Sequence, residues 1–481
     1  MFLERIYDES LAQAAYLVAC DHTNLAVVID ANRDVESCLR VADHHRFKIV
    51  AVTETHIHAD FVSGSRELAR RTGGRLLLSC EGGPGWQYGF ATPNSATLLR
   101  HGDSFDVGLL RFDVRHTPGH TPEHLSFVVT DRGMNERPVG MFTGDFIFVG
   151  DVGRPDLLER AANQQGTMDV LARRLFQSIQ ATRDLPDYLQ LWPGHGAGSA
   201  CGRALGALPS TTLGFERVAN WAFQFTDETC FAKEVLSGQP EPPAYFARMK
   251  SVNRAGPPVF PELGPLPELG AQEIQDAFHR GVTVVDVRST ADFAAGHIPG
   301  TLSIPMGTSL ATWAGTFVDY TRDMVLVADD DDRLQRARYT LALIGLDRVV
   351  ARAGRRAREE WQVEIGELER VDQVSIEEVA NDEDRTVIDV RGNAEWEEGH
   401  LPNARHYFLG ELVRKARELP HDTPIAVHCH GGTRASVAAS LLQAQGFTNV
   451  ANMSGGYRAW TEAKLPVERD DAPADIGSDS V

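Results

Sequence analysis

An internal repeat in the second half of the chain constrains its fold more than any other feature. Residues 284–288 and 296–299 recur as 387–391 and 399–402 at a constant offset of 103 positions, as Val-Val/Ile-Asp-Val-Arg and Gly-His-Ile/Leu-Pro. An arginine and two glycines follow at an offset of 101: Arg333, Gly345 and Gly354 against Arg434, Gly446 and Gly455. Self-similarity at a fixed period indicates repeated structural units. We therefore predict two copies of one α/β module in tandem.

The 481 residues are enough for two to four domains. Residues 1–237 mix apolar strand patterns with amphipathic helices, which predicts a first folded domain. Residues 238–269 are crowded with Pro and Gly and predict a linker with one short helix. The repeat copies are placed at 270–365 and 372–466, and the acidic end at 467–481 is expected to be disordered.

Composition and charge exclude several classes of partner. The formal net charge of −20 argues against nucleic acid and anionic membrane surfaces. No apolar run approaches the roughly 20 residues of a spanning helix, and the start lacks a signal-peptide pattern. Six cysteines without metal or disulfide spacing indicate reduced thiols. We expect a cytoplasmic homo-oligomer that acts on small molecules.

Two histidines and an aspartate follow an apolar run in the first domain. His56, His58 and Asp60 come just after 47–52, which has the pattern of a buried strand. Histidines two positions apart in an extended chain point to the same side, whereas on a helix they would diverge. Ligands bind at the carboxyl ends of strands in α/β sheets. The motif therefore predicts one wall of a metal site.

Three later segments each place a possible ligand where a strand gives way to a loop. His120 lies in a turn rich in Pro and Gly, Asp145 ends an apolar run, and His195 follows Pro193-Gly194. Any one of the 17 histidines of the chain would ordinarily be structural or solvated. Together with the first motif, however, these segments predict a metal centre.

These motifs, in this order, resemble the metallo-β-lactamase superfamily over residues 1 to about 235. The resemblance implies an αββα sandwich with metal on its loop edge, in a superfamily that contains both hydrolases and oxygenases. Hydrolases of the hydroxyacylglutathione type carry a histidine where this chain has Phe61. An aromatic ring cannot ligate a divalent cation, and Asp60 and His195 alone would hold a second metal weakly. One metal is therefore expected.

Within that superfamily, the chain resembles the persulfide dioxygenase branch. The resemblance assigns His56, His120 and Asp145 to iron, and this set matches the facial triad of non-haem iron(II) oxygenases. It implies one Fe(II) per chain, with O₂ as co-substrate. Three neighbouring side chains would orient the ligands through hydrogen bonds: His58, Asp60 and His195.

Two further residues of this domain could contact the substrate. Arg154 follows the metal aspartate and could face an anionic thiol cofactor, although a structural ion pair with Asp156 explains it equally well. Cys201 lies close after His195 and could hold a transferred sulfur, or could be a small residue at a helix start. The sequence leaves both alternatives open.

The second repeat copy carries a cysteine in a tight loop between a strand and a helix. Cys429 and Arg434 enclose His430, Gly431, Gly432 and Thr433, and a helical pattern follows. Backbone N–H groups at a helix amino terminus, together with Arg434, favour an anion, so we predict a thiolate nucleophile at Cys429. Residues 372–466 resemble a rhodanese, which carries sulfane sulfur as a cysteine persulfide. The four loop residues would cradle its outer sulfur.

The first repeat copy lacks this nucleophile. The position of the cysteine falls on Ala328, and the next four residues are aspartates. Four carboxylates would repel a persulfide anion and raise the pKa of a thiol. We predict a degenerate rhodanese over 270–365 with a packing or spacing role, or an unidentified binding role.

The whole arrangement resembles the fused bacterial persulfide dioxygenases of sulfide detoxification. That resemblance implies oxidation of a low-molecular-weight thiol persulfide to sulfite, with Cys429 moving sulfur between persulfide, sulfite and thiosulfate. One alternative is a zinc-dependent thioester hydrolase of the hydroxyacylglutathione type with an appended sulfurtransferase; Phe61 speaks against it. Another is a sulfur-relay or scaffolding protein with a vestigial metal domain.

Overall fold

The computed structural model describes residues 1–162, 166–203 and 205–469. The chain forms two compact units, the first made of Met1–Leu263 with Tyr339–Asp347 and the second of Gly264–Arg338 with the chain from Arg348 onwards. From residue 470, the end predicted to be disordered lies outside the described residues. Within these limits, every helix is too short or too polar to cross a bilayer.

The first unit contains two six-stranded sheets. Neighbouring strands of the first sheet follow chain order: β1 (Phe2–Asp8), β2 (Gln13–Cys20), β3 (Leu25–Ile29), β4 (Lys48–Thr53), β5 (Arg75–Ser79) and β6 (Thr97–Leu99). The second sheet also follows chain order: β7 (Ser104–Val107), β8 (Leu110–His116), β9 (Leu125–Asp131), β10 (Pro138–Gly144), β11 (Gln190–Pro193) and β12 (Thr211–Thr212). Strand pairs β3·β4, β4·β5, β5·β6 and β10·β11 are parallel, and the others are antiparallel.

Helices accompany both sheets. They are α1 (Val35–His45), α2 (Ser65–Thr72), α3 (Leu157–Ala162), α4 (Met168–Gln180), α5 (Leu213–Ala219), α6 (Glu228–Leu236) and α7 (Phe246–Ala255). Buried residues of α1 and α2 pack on the first sheet, and those of α4 and α6 pack on the second. All eight residues of β2 are buried, because one face meets the other sheet and the opposite face meets helices. The αββα sandwich implied by the resemblance is confirmed.

Aromatic side chains fill the space between the sheets. Tyr16 from the first sheet packs edge-on against Phe142 from the second, with ring centroids 5.3 Å apart. Phe112 and Phe127 belong to the same buried cluster. Phe112 lies on β8 and Phe142 on β10, the strands that lead into the segments of His120 and Asp145, so the core fixes the ends of these two strands.

The first repeat copy forms a parallel four-stranded sheet in the order β14-β13-β15-β16. Its elements are α8 (Ala271–His279), β13 (Thr283–Asp286), α9 (Thr290–Ala295), β14 (Leu302–Ser303), α10 (Leu310–Phe317), β15 (Met324–Val327), α11 (Asp331–Leu343), β16 (Val349–Ala353) and α12 (Arg355–Glu364). Its core cluster is separate from that of the other copy.

The second repeat copy forms a parallel five-stranded sheet in the order β17-β21-β20-β18-β19. Its elements are β17 (Asp372–Val374), α13 (Ile376–Asn381), β18 (Thr386–Asp389), α14 (Asn393–Glu397), β19 (Arg405–His406), α15 (Leu412–Lys415), β20 (Ile425–His428), α16 (Thr433–Gln443), β21 (Val450–Met453) and α17 (Gly456–Glu462). The tandem rhodanese modules predicted from the repeat are therefore confirmed.

The repeated Asp-Val-Arg motif performs the same structural task in both copies. The Nη2 atom of Arg288 lies 2.6 Å from the Oδ2 atom of Asp286, and the same atoms of Arg391 and Asp389 are also 2.6 Å apart. Each guanidinium also donates to the carbonyl of the glycine in the Gly-His motif. Because all four side chains are buried, this paired charge holds the end of a central strand to the loop beyond it.

Replacing Phe127 with alanine should leave a cavity between the two sheets. We expect Phe127→Ala to lower the free energy of unfolding of the first unit by about 3–5 kcal/mol, since its ring is fully buried. Phe215→Ala is the control, because that ring is more than half exposed, and it should change the value by less than about 0.5 kcal/mol. Denaturant unfolding of both variants measures the difference. Equal unfolding midpoints for the two variants would show that Phe127 does not stabilise the core between the sheets.

Candidate metal centre and sulfur-transfer loop

Three side chains at strand ends converge on one buried point. His56 follows β4, His120 follows β8 and Asp145 follows β10. The Nε2 atoms of His120 and His56 lie 3.4 and 4.0 Å from the Oδ2 atom of Asp145. One ligand atom from each residue lies within 4.8 Å of the others, and all three side chains are buried. We call this set the triad.

Hydrogen bonds at the far ring nitrogens orient the triad histidines. The Nδ1 atom of His56 is 3.0 Å from the hydroxyl of Thr55, and that of His120 is 3.1 Å from the carbonyl oxygen of Arg154. A carbonyl can only accept, so Nδ1 of His120 carries the proton and Nε2 keeps its lone pair. Metal-bound histidines in proteins are oriented in this way.

The triad carries polar atoms that the described part of the protein does not pair. The Nε2 atom of His56 and both carboxylate oxygens of Asp145 are buried without a hydrogen-bond partner there. Such atoms are costly unless a ligand satisfies them. Burial lowers the pKa of His56 well below its usual range. Burial opposes ionisation of Asp145, but His195 and His120 outweigh it and lower the pKa of that carboxyl. Neutral imidazole and ionised carboxylate are the forms that bind a cation.

Asp30, which follows β3, organises the first histidine loop. Its Oδ1 accepts the backbone N–H of Thr55 at 2.7 Å, and its Oδ2 accepts the Thr55 hydroxyl at 2.9 Å. Its backbone has φ of 56°, a left-handed conformation that Asp tolerates better than most residues. Our sequence prediction missed Asp30, although an aspartate directly after an apolar strand is the same signal that identified Asp145.

His58 pairs with Asp30 instead of facing the triad ligands. Its Nε2 atom lies 3.1 Å from the Oδ1 atom of Asp30. Burial alone would lower the pKa of His58, but the adjacent Asp30 carboxylate outweighs it and raises the pKa to about 9. Its ring centroid is 4.3 Å from that of His56. A supporting role for His58 is consistent with this geometry.

His124 and Gly144 complete the support of Asp145, and both were missed from the sequence. The Nε2 atom of His124 accepts the backbone N–H of Asp145 at 3.1 Å, and its ring stacks on His56 with centroids 5.1 Å apart. A Cβ atom at Gly144 would come within 2.4 Å of the Thr55 hydroxyl. The spacing of His124, four residues after His120, was the available signal.

A second group of possible ligands borders the triad. One ligand atom each from Asp60, His195 and Cys201 lies within 4.8 Å of the others, and all three side chains are buried. The Nε2 atom of His195 is 3.3 Å from Asp60 Oδ2 and 3.5 Å from Asp145 Oδ1. Burial raises the pKa of Cys201 well above its usual value, and the carboxylates of Asp145 and Asp60 add to the effect. Burial likewise raises the pKa of Asp60.

Arg154 is part of a buried clamp. Its Nε and Nη2 atoms each lie 2.8 Å from one oxygen of Asp156, and its Nη1 donates to the carbonyl of Ala200 at 3.3 Å. The whole side chain is inaccessible to solvent. This geometry favours the structural ion pair over contact with an anionic thiol, because the guanidinium already donates to Asp156 and to the carbonyls of Ala200 and Pro240.

The predicted linker also braces the metal loop. Its helix α7 places Asn253 so that the side-chain amide donates to the carbonyls of His58 at 2.8 Å and Phe61 at 2.7 Å. Its Oδ1 accepts the N–H of Ser63 at 2.9 Å, and the hydroxyl of Tyr245 donates to the carbonyl of Asp60. No sequence signal pointed to these contacts, since about 190 positions separate the partners.

The cysteine that the sequence predicts as a sulfur nucleophile lies between a strand and a helix of the second repeat copy. Cys429 lies after β20 at the base of the loop that enters α16, and Gly432 donates its N–H to the sulfur at 3.0 Å. Gly432 has φ of 107°, which favours glycine. His430, Gly431 and Thr433 are exposed around it. The loop therefore offers a backbone donor to sulfur and opens to solvent.

Glu395 forms an ion pair with Arg434, which lies in the first turn of the helix that follows this loop. The Nη2 atom of Arg434 lies 2.8 Å from the Oε1 atom of Glu395, in a bidentate pair. Burial would lower the pKa of Arg434, but its bonds to Glu395 and the nearby Cys429 raise it. The arginine is thus held in a fixed orientation, and sequence reasoning missed the carboxylate that holds it.

In the first repeat copy, an aspartate of the corresponding loop lies against two arginines. Asp329, which follows Ala328, lies 2.7 Å from the Nη2 atom of Arg358 and 4.0 Å from the Nη1 atom of Arg288. The cations that could attract a sulfur anion are therefore already neutralised. This supports our prediction of an inactive copy.

Two family models match the chain. The model described as Metallo-beta-lactamase superfamily matches residues 10–195, and the model described as Rhodanese-like domain matches 270–354 and 374–463. A solved structure of a metallo-beta-lactamase from Staphylococcus aureus subsp. aureus COL is 39% identical, with a TM-score of 0.67, over 74% of this chain and 99% of that one.

Two curated relatives cover the metal domain. The mitochondrial persulfide dioxygenase ETHE1 of Bos taurus is 28% identical over 203 residues, which are 40% of this chain and 68% of that protein. The hydroxyacylglutathione hydrolase of Crocosphaera subtropica is 28% identical over 180 residues, 37% of this chain and 63% of that protein. The chain spans 46% and 53% of the length of two further curated relatives.

Removing the amide of Asn253 should loosen the metal loop. We expect Asn253→Ala to cost about 2–4 kcal/mol of stability, because three buried hydrogen bonds lose their partner. It should also weaken metal binding about tenfold or more. Asn135→Ala is the control, since Asn135 is exposed in a turn of the same unit. Metal titration and thermal unfolding of both variants measure the two effects. A variant that binds metal like wild type would contradict the bracing role.

Proposed function

We propose that the chain, which belongs to the metallo-beta-lactamase superfamily and carries two rhodanese-like domains, is an iron(II)-dependent persulfide dioxygenase coupled to a sulfurtransferase. One low-molecular-weight thiol persulfide, one O₂ and one water would yield the free thiol and sulfite. Cys429 would move sulfane sulfur between persulfide, sulfite and thiosulfate. The role that follows is sulfide detoxification in the cytoplasm.

The triad is the observation that carries this proposal. Two neutral histidines and an ionised aspartate suit a divalent cation, because their ligand atoms are buried and three of these atoms have no partner within the described ranges. His56, His120 and Asp145 would hold the ion, and a site with three protein ligands of this type would leave room for O₂ and the persulfide. An iron(II) ion bound there would supply the activation of O₂ that the reaction requires.

The surrounding side chains would shape the pocket and orient the ligands. Asp30 and Thr55 hold the loop of His56, and the carbonyl of Arg154 holds His120. The buried ring of Phe61 lies against His58, with centroids 4.4 Å apart, at the position where hydroxyacylglutathione hydrolases carry a ligand. The residue that departs from the hydrolase pattern therefore lies at the site itself.

Sulfur transfer would take place at the second rhodanese-like copy. The thiolate of Cys429 would attack the outer sulfur of a persulfide and release the free thiol, which leaves a cysteine persulfide. Sulfite could then take that sulfur to form thiosulfate and regenerate the thiolate. The N–H of Gly432 would donate to the sulfur and favour negative charge on it at each step.

Joining both activities in one chain has a physical advantage. Sulfite formed in one domain meets a covalently linked second domain at a higher effective concentration than free diffusion would give. The degenerate copy would contribute packing or spacing, since it has no sulfur nucleophile at the loop.

A zinc-dependent thioester hydrolase with an appended sulfurtransferase is the alternative. The relative named hydroxyacylglutathione hydrolase favours it, as does the group of Asp60 and His195 beside the triad. The two proposals differ in the metal and the substrate. Iron-loaded and zinc-loaded protein should therefore be compared with a glutathione persulfide and with a glutathione thioester. Persulfide-dependent oxygen uptake by the iron form alone supports the dioxygenase. Thioester cleavage by the zinc form, without oxygen uptake by either form, would instead favour the hydrolase.

Separate variants should abolish the two activities independently. We expect Asp145→Asn to lose iron and to reduce oxygen uptake at least about a hundredfold, because it removes a charged ligand. It should leave thiosulfate-dependent sulfur transfer unchanged. Oxygen electrode and metal analysis measure the first effect, and a sulfur-transfer assay measures the second.

The converse variant is Cys429→Ser. It should reduce sulfur transfer at least about a thousandfold while oxygen uptake persists, because the nucleophile is lost. Cys230→Ser is the matched control, since that thiol is exposed and lies in no motif. Sulfur transfer that survives in Cys429→Ser would show that another group carries the sulfur.

A further inference from the structure

We propose that residues 339–347 hold the metal loop (residues 55–63) in position, and that Arg33 is the positioning residue that joins the two. The internal repeat places this segment in the first repeat copy, whereas the structure groups Tyr339–Asp347 with the first unit. It comprises the end of α11 and the loop that follows. We call it the helix-end segment. The inference rests on the proposed metal centre but not on the oxidation of a persulfide.

Arg33 is a buried cation whose N–H donors are all bonded. Its Nη1 and Nη2 atoms donate to the carbonyls of Ala342 and Val259, each at 2.7 Å, and its Nε donates to the carbonyl of Pro258 at 3.1 Å. The same two terminal nitrogens lie 2.6 and 2.8 Å from the two carboxylate oxygens of Asp347. A guanidinium has five N–H donors, so each one has a partner. Since its side chain is only 2% exposed, Arg33 depends on these partners for charge compensation.

The helix-end segment also bonds the metal loop directly. The last carbonyls of an α-helix have no partner within the helix, and they form the negative end of its dipole. At the end of α11, the carbonyl of Ala342 accepts from Arg33, and that of Leu343 accepts the backbone N–H of Val62 at 2.8 Å. Val62 lies in the metal loop, and both it and Leu343 are fully buried. Breaking this bond is therefore costly, because its two polar groups are shielded from water.

The residues that precede Arg33 hold the two ends of the metal loop. Asp30 accepts both the backbone N–H and the hydroxyl of Thr55, at the beginning of the loop. Asn32 pairs with Ser63, at the end of the loop, through an isolated antiparallel bridge. Residues 30–33 form one short connection between β3 and α1, and the bonds of Arg33 anchor that connection to the helix-end segment. The position of Arg33 therefore affects both ends of the metal loop.

The helix-end segment is attached at its beginning as well as at its end. The hydroxyl of Tyr339 donates to the Oδ2 atom of Asp34 at 3.0 Å, and its ring centroid lies 5.6 Å from that of Phe260. Asp34 directly follows Arg33, which pairs with Asp347 at the other end of the segment. The repeat copy without a cysteine at its loop thus has a role besides packing or spacing, since the end of its helix α11 supports the metal loop.

Hydrogen exchange of backbone amides and Co²⁺ titration of the metal-free full-length protein test the role of Arg33. Co²⁺ stands in for Fe²⁺ at nitrogen and oxygen ligands. We expect Arg33→Met to speed exchange across residues 55–64 at least about tenfold and to weaken Co²⁺ binding about tenfold or more, because the metal loop loses its supports. Arg70→Met is the control, since that guanidinium is exposed on α2 and pairs with Glu67. It should match wild type in both measurements.

Two further variants keep the test decisive if Arg33→Met folds poorly. Asp347→Ala removes a carboxylate that is 32% exposed, and it should change both measurements in the same direction, because Arg33 loses its compensating charge. Phe127→Ala should lower the free energy of unfolding but leave the Co²⁺ affinity of the folded protein within about twofold of wild type. Wild-type exchange and Co²⁺ affinity in Asp347→Ala would overturn the proposal, as would an equal loss of Co²⁺ affinity in Phe127→Ala. Neither measurement uses persulfide or O₂, so failure here is distinguishable from failure of the proposed function.

Discussion

The metal domain depends on one constraint: ligand atoms are buried without a hydrogen-bond partner in the described part of the chain. At the edge of a close-packed sandwich, Asp145 and His56 have polar atoms without a partner among the described residues, and such atoms cost free energy. The surrounding structure maintains that arrangement: Asp30 and Thr55 fix one loop, and the Arg154 clamp fixes two others. A cation that binds there would convert this cost into folding and binding energy.

The two repeat copies have the same fold but differ in the loop residues on which sulfur chemistry would depend. Both keep the buried aspartate–arginine pair that joins a central strand to the next loop. Only the second has a cysteine, Cys429, at the loop that enters its helix, where the first has Ala328. The first instead places Asp329 against two arginines. The shared motif therefore predicts the fold, while the loop residues decide whether sulfur chemistry is possible.

The sequence predicted the parts of the site that follow strands. Positions where strands give way to loops marked His56, His120 and Asp145 as candidates, the family resemblance selected them as the metal set, and the structure brings them together. Asn253 could not be found in this way, since it reaches the metal loop from about 190 positions away. Cys201 was noticed because it follows His195, but its place beside Asp60 depends on the tertiary path of its loop. Side-chain contacts set by tertiary folding leave no local pattern in a single sequence.

Oxygen consumption by protein of known iron content tests the central claim most directly. Purified wild-type protein is analysed for metal and given glutathione persulfide in an oxygen electrode, with sulfite measured at the end. We expect one iron per chain at the triad, oxygen uptake that rises in proportion to iron content, and one O₂ consumed for each persulfide oxidised to sulfite. Iron-loaded protein that consumes no oxygen with any thiol persulfide would contradict it.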